Sequence, residues 1–201
     1  MLAHVSRPAA TQRPEPGELV RHPVEYVLIT AGMAGIPLGQ WPGLRTFWLR
    51  EGNRVVPAFP LVPLRPMAAS GRDRSAFAIA DGGLLEVKVY DPVGGLWRIV
   101  RWDGGLKRMD RYETDSIREW LIRHNAKTEA AKATLMRWHR ELPPQTHWPA
   151  TGWMAFDELG CLWVQRPGIG WDVFDRDGVW VARAKVPLDR LLAIGEDWVI
   201  G

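Results

Sequence analysis

The stretch of this chain that most resembles reactive chemistry is Asp175-Arg176-Asp177-Gly178. Asp-x-Asp-Gly is half of a calcium loop, in which hard carboxylate oxygens gather around the ion. An EF-hand-type loop also needs a bidentate Glu at its twelfth position, which here is Val186. The corresponding stretch Asp91-Pro92-Val93-Gly94 lacks the second acid altogether. An Asp ahead of a turn accepts hydrogen bonds from backbone N–H groups, and a Gly three residues later tolerates positive φ. Asp-Arg-Asp-Gly therefore reads as the turn of a hairpin.

The other reactive side chains are few. His124, His139 and His147 could converge on zinc, but no HxxxH or HExxH spacing is present, and they read as partly exposed histidines. Cys161, the one cysteine, excludes an internal disulfide. No basic or histidine neighbour in sequence would lower its pKa, so it reads as a small apolar residue and not a nucleophile. No serine lies in G-x-S-x-G. Asp81-Gly82-Gly83 and Asp103-Gly104-Gly105 are turns between strands, not phosphate loops at strand-to-helix junctions. No residue is assigned a catalytic, cofactor-binding or metal-binding role, and no cofactor is implied.

The elements around these residues repeat. Val89-Tyr90-Asp91-Pro92-Val93-Gly94-Gly95-Leu96 aligns with Val173-Phe174-Asp175-Arg176-Asp177-Gly178-Val179-Trp180. Both read Val-aromatic-Asp-x-x-Gly-x-large apolar, the pattern of a strand, a tight turn and a returning strand. Upstream of the first copy lie Met67–Ser70, a turn, and Ala76–Ala80; upstream of the second lie Trp153–Phe156, a turn, and Leu162–Gln165. Each copy is predicted to be a four-stranded meander, over about 66–102 and 152–186. A weaker copy, 24–59, precedes them with strands at Glu25–Thr30, Thr46–Arg50 and Arg54–Ala58. An incomplete one, 191–201, follows.

Between the two clear copies lies an insertion of helical period, about 112–142. Ile117, Trp120, Leu121 and His124 fall at i, i+3, i+4, i+7, and Ala131, Leu135, Trp138 and Leu142 form a second such stripe. Ser116 and Glu119 fit a capping box. Residues 106–147 hold nine Lys/Arg and six Asp/Glu, an excess equal to the +3 of the whole chain.

A hydrophobic fraction of 46% and a charged fraction of 24% place the chain among ordinary globular proteins. Twelve tryptophans against three tyrosines require several large, partly buried platforms, each with a partner for its N–H. No run of Lys/Arg stands out and acids are interleaved, so no nucleic-acid partner is expected. No apolar stretch approaches the roughly 20 residues of a membrane span. Residues 1–20, rich in Pro, Ala and Arg and without an apolar h-region, are expected to be a disordered lead-in and no secretory signal.

Four-stranded meanders of about 35–45 residues in series are expected to stack as blades of a β-propeller. The run from Pro149 to Gly201 carries strand pairs of the type Asp-x-x-Gly-x-(Leu/Trp), here Asp157–Val164 and Asp175–Val181. A helical stretch ends in Leu142-Pro143, and the chain closes on Ile194-Gly195-Glu196-Asp197-Trp198-Val199-Ile200-Gly201. With these features residues 75–201 resemble bacterial six-bladed β-propeller proteins related to the NHL-repeat and TolB-like propellers. The resemblance implies architecture and no reaction, and suggests an exported or periplasmic setting. Members of that group usually continue past the closing Gly, so the stop at Gly201 suggests a truncated gene, a fragment, or a propeller closed by partner chains.

The expected fold is all-β with a helical insertion: a partial β-propeller of four-stranded antiparallel blades over 21–201, carrying an α-helical hairpin. The expected function is a non-catalytic scaffold that binds a protein or a small ligand. The alternative is a propeller-type, lactonase-like hydrolase with a metal in its channel. Hydrolases of that type use Glu, Asp and Asn for the cation, and this chain has only Asn53 and Asn125. Nucleic-acid binding through the helical hairpin ranks third.

Overall fold

The structure, a computed structural model, describes residues 2–5, 14–29, 35–71, 74–188 and 190–201. Three four-stranded antiparallel sheets follow one another along the chain, each with its strands in sequential order, and a two-stranded hairpin comes last. The first sheet holds β1 (Leu2–Val5), β2 (Leu19–Leu28), β3 (Ile36–Glu51) and β4 (Arg54–Ala58). The second holds β5 (Met67–Ser70), β6 (Phe77–Ala80), β7 (Glu86–Tyr90) and β8 (Leu96–Arg101). The third holds β9 (Met154–Phe156), β10 (Leu162–Arg166), β11 (Gly170–Phe174) and β12 (Trp180–Ala184). The last hairpin is β13 (Ala193–Ile194) with β14 (Val199–Ile200). First strands neighbour first strands, β5 beside β9 and β9 beside β13. The chain is a partial β-propeller with an α-helical insertion, as its repeats predict.

Strand alternation explains how the sheets stack. In β6, Phe77 and Ile79 pack against Val24, Tyr26, Leu28, Leu38 and Trp41 of the first sheet. The intervening Ala78 and Ala80 pack the other way, with Met154, Leu162, Val164 and Phe174 of the third sheet. All four β6 residues are buried, so this strand reads as a continuous apolar run with large side chains on one face and small ones on the other. The third sheet divides likewise: Leu162, Val164 and Phe174 face the second sheet, while Trp171 and Trp163 pack with Leu191 and Ile194 of the closing hairpin. Trp41, Trp102, Trp153, Trp163 and Trp171 fill the space between sheets, whereas Trp97, Trp120, Trp180 and Trp198 are exposed, and the buried Trp48 and Trp102 N–H groups have no partner among the described residues. The indoles of Trp138, Trp148, Trp163 and Trp180 donate to carboxylates of Glu51, Glu113, Asp157 and Asp172.

Hydrogen bonds show what the Asp175-Arg176-Asp177-Gly178 stretch does. Asp175 Oδ1 accepts from the N–H groups of Asp177 and Val179, both at 2.9 Å, and Asp91 Oδ1 accepts from Val93 and Gly95 at 2.9 and 2.8 Å. Both aspartates close the same hairpin turn, followed in each sheet by a register shift one strand-pair in. Asp-Arg-Asp-Gly is turn chemistry.

Three expectations are corrected. Leu2–Val5 is a strand paired with β2, and β2 begins at Leu19, so residues 1–20 are not a uniform disordered lead-in; 6–13 lie outside the described residues. The backbone groups of residues 2–5 find partners along β2 that composition cannot reveal. Second, the strand expected at Thr46–Arg50 is the end of a longer one, β3, which runs unbroken from Ile36 through Pro37 and Pro42. Pro42 faces Pro23 at an irregularity between β2 and β3, where the ladder is already interrupted and a missing N–H costs little. The Glu25–Thr30 strand ends at Leu28, and Thr30 lies outside the described residues.

Third, the capping box is Asp110 with Glu113, not Ser116 with Glu119, which sit inside α1 (Arg111–Asn125). Asp110 Oδ1 accepts from Glu113 N–H at 2.7 Å, and Glu113 Oε2 from Asp110 N–H at 3.1 Å. Glu113 also pairs with Lys107 at 2.5 Å, a partner outside the helix, and the N-cap lies six residues before Ser116. The Lys107 hydrogen bond, helped by the Asp110 N–H, holds the Glu113 carboxyl below the usual range. The second helix, α2 (Glu129–Glu141), does not project freely. Trp138, with Leu142 beyond its end, packs on Phe47, Leu49 and Ala58 of the first sheet, and Arg137 pairs with Glu51. No helix among the described residues is long and apolar enough to cross a membrane.

Arg21 straps the first sheet to the second. Its guanidinium donates to the carbonyls of Gly43 and Pro42, both at 2.8 Å, and to that of Asp81 in the β6–β7 turn at 2.6 Å. Replacing Arg21 by Ala should lower unfolding stability by about 1.5–3 kcal/mol, the usual worth of charge-assisted bonds. Arg21→Lys should recover less than half of that, because an ammonium cannot span three carbonyls as a fork does. Urea unfolding followed by tryptophan fluorescence measures both; an unchanged midpoint in Arg21→Ala would show the strap to be idle.

Candidate functional site

A cleft of about 540 Å³ lies between the second and third sheets, where the β5–β6, β9–β10 and β11–β12 turns gather. Its apolar floor is Ala76, Val89, Val100 and Leu162, the exposed end of the core these sheets share. Trp97 and Phe156 form its walls. Around the rim stand Arg98, Arg176, Asp157, Glu158 and Asp175. Hairpin turns place four of them and β8 places Arg98; turns are what a propeller varies while its strands hold position.

Glycines set the width of the cleft at two places. Gly178, at φ +78°, lets the β11–β12 turn lie against β8; a Cβ there would stand 3.1 Å from Val100 and 3.4 Å from Arg98. Gly160, at φ +79°, leaves room for Arg176, whose Nε donates to Leu159 O at 2.5 Å. Either glycine replaced by an L-residue would be strained, pressing on Val100 at Gly178 and on the Arg176 guanidinium at Gly160.

The rim groups are not equally available. Asp157 is committed: Oδ1 accepts from Cys161 N–H at 2.7 Å and Oδ2 from the Trp163 indole at 2.9 Å. Asp175 uses Oδ1 in its turn. The Arg98 guanidinium lies 4.1 Å over the Trp97 ring, and neither Arg98 nor Arg176 has an ion pair among the described residues. Burial, and after it the neighbouring Asp157, pushes the Cys161 thiol up, the opposite of what a nucleophile needs.

The three histidines do not meet. His124 bonds through Nδ1 to Trp120 O at 2.8 Å and stacks on that indole, and His147 bonds to Thr146. His139 sits on α2, its pKa lowered by burial and then by Arg118. No three His, Cys, Asp or Glu side chains among the described residues group as a metal site.

No family model and no curated protein matches this chain. Among solved structures it is similar to a calcium-binding protein, regucalcin, from Agrobacterium tumefaciens, with 12% identity and a TM-score of 0.32 over 89% of this chain and 48% of that one. It is also similar to a gluconolactonase from Xanthomonas campestris, with 14% identity and a TM-score of 0.35 over 96% of this chain and 54% of that one. The chain thus spans about half the length of either.

Arg98, Arg176, Trp97 and Glu158 were not foreseeable as one site. Each lies in or beside a turn whose sequence explains it locally, and nothing in a turn reveals which other turn it will face. The buried pair Arg166 and Asp172 did leave a signal. Arg166 continues the Leu162, Val164 alternation and Asp172 pairs with Val164, so both charges occupy inward positions.

Proposed function

We propose that the cleft between the second and third sheets binds a small polyhydroxylated molecule. The carrying observation is its combination of groups. Two guanidiniums with no ion pair among the described residues donate, carboxylates accept, and the Trp97–Phe156 walls and apolar floor cover a carbon skeleton. The volume falls within the roughly 300–1,000 Å³ of small-molecule sites. This is the small-ligand half of the scaffold reading. The six-bladed count, the kinship to NHL-repeat propellers, the blade bounds 24–59, 66–102, 152–186 and 191–201, and closure by further blades or a partner chain belong to the same proposal, and the sequence resemblance supports them.

The test is thermal unfolding of the full chain against a panel of sugars, sugar acids and sugar lactones. A ligand at one hundred times its Kd adds about 2.7 kcal/mol, roughly 5–10 °C for a chain of this size. Arg176→Ala should weaken binding at least tenfold and leave the unliganded melting temperature within about 2 °C, since surface substitutions cost little. A panel without a saturable shift, or one with an equal shift in Arg176→Ala, rejects the cleft as the site.

The second reading is the propeller-type hydrolase. What favours it is that Asp157, Glu158 and Asp175 all line the rim of one cleft, since acid–base hydrolysis needs a carboxylate beside the substrate. Proton release from a lactone, measured with a pH indicator with and without added divalent cation, separates the readings. Binding without release supports the scaffold; cation-dependent release supports the hydrolase.

A further inference from the structure

A second cavity, of about 990 Å³, opens between the first sheet and β5, and it shares no lining residue with the cleft. Its electrostatics differ in kind. Arg65, Arg74 and His22 line it, and no Asp or Glu does among the described residues. Arg65 is exposed, with its guanidinium 5.8 Å from the Trp153 ring, which also lines the groove. Arg190 lies over the same ring at 4.4 Å. Neither guanidinium has an ion pair among the described residues.

Cation–π attraction holds both guanidiniums at the indole but neutralises neither, and neither has a counter-charge among the described residues. A site of that kind favours an anion, and the guanidinium fork matches carboxylate and phosphate oxygens in pairs. Burial raises the Tyr26 hydroxyl pKa and Arg65 draws it back, so the Arg65 charge is felt inside the groove. Val24, Leu44 and Met67 supply an apolar surface for the rest of a ligand, and the size suits a metabolite rather than a bare ion.

We infer that this groove is a binding site for a small organic anion, carrying carboxylate or phosphate groups, with Arg65 on Trp153 as its principal anion-holding residue. The site stands apart from the cleft, and the two fail or hold separately.

The experiment is thermal unfolding and calorimetric titration of the full chain with citrate, a carboxylate probe, and pyrophosphate, a phosphate probe, against potassium chloride at matched ionic strength. A saturable rise in melting temperature is expected with at least one probe; which one responds distinguishes the two chemistries. Arg65→Gln should raise the Kd at least tenfold, and Arg65→Lys, which keeps the charge without the fork, should fall between. Arg101→Gln removes an exposed guanidinium paired with Glu86 on the second sheet and should leave the Kd unchanged. Arg176→Ala should leave it unchanged as well. Circular dichroism and unliganded melting establish that each variant is folded. No saturable effect beyond that of chloride, an unaltered Kd in both Arg65 variants, or an equal loss in Arg101→Gln would overturn the assignment.

Discussion

Asp172→Asn is expected to be among the most destabilising single substitutions in this chain, costing about 3–5 kcal/mol, the range for breaking a buried ion pair from one side. Asp172 is fully buried and holds three donors: Arg183 Nε at 2.8 Å, Arg166 Nη1 at 3.1 Å and the Trp180 indole at 3.2 Å. The Arg166 side chain is only 4% exposed, so removing the carboxylate leaves a guanidinium in the core with Gly105 O as its remaining partner. The amide keeps the volume of the carboxylate, so the loss reports charge and not a cavity. Replacing both partners, Arg166→Met with Asp172→Leu, should recover most of it, because no buried charge is then left unpaired. Urea unfolding of the three proteins measures this; a loss under about 1 kcal/mol in Asp172→Asn would mean that Arg166 is not dependent on its partner.

The same group gives acid unfolding a definite sign. Burial pushes the Asp172 carboxyl up, but the Arg183 and Trp180 hydrogen bonds, the Arg183 charge and the Arg166 hydrogen bond outweigh it, and the folded pKa is lowered. A lowered folded pKa means that the contribution is complete above the ordinary aspartate value of about 3.9 and is lost as pH falls through the folded one. The pH dependence of stability below about pH 4 should therefore be shallower in Asp172→Asn than in the parent.

Phe174→Ala should cost a comparable 3–5 kcal/mol, the range for emptying a buried aromatic site. Phe174 has no exposed surface, and its ring centroid lies 4.9 Å from that of Trp102 at a tilt of 55°. It belongs to the apolar cluster shared by the second and third sheets, whose outer end is the cleft floor. A void there removes dispersion contacts from both sheets at once, and they cannot close on it without dragging the turns that shape the cleft. Near-ultraviolet circular dichroism should lose part of its Trp102 signal in the same variant. Leu96→Ala, at a leucine 52% exposed, should stay within about 0.5 kcal/mol and serves as the contrast. Equal losses at both positions would refute inter-sheet packing as the source of stability.

The sequence by itself determined what closes over a few residues. Asp91 and Asp175 make the same turn because donor, acceptor and glycine lie within five residues of one another, so the repeat and the meanders were legible before any coordinates. The helical period of the insertion was legible for the same reason, although the capping box that forms is Asp110 with Glu113, whose carboxylate also pairs with Lys107 outside the helix. Only the tertiary structure decided what meets across sheets. Trp138 settles on Glu51, 87 residues away, so an insertion placed between the second and third sheets docks on the first. The cleft draws on turns of two sheets, and Arg65 finds Trp153 in another blade. Such pairings depend on the angle and spacing at which sheets stack. The summed shape of their buried faces sets that stacking, and no window of sequence contains it.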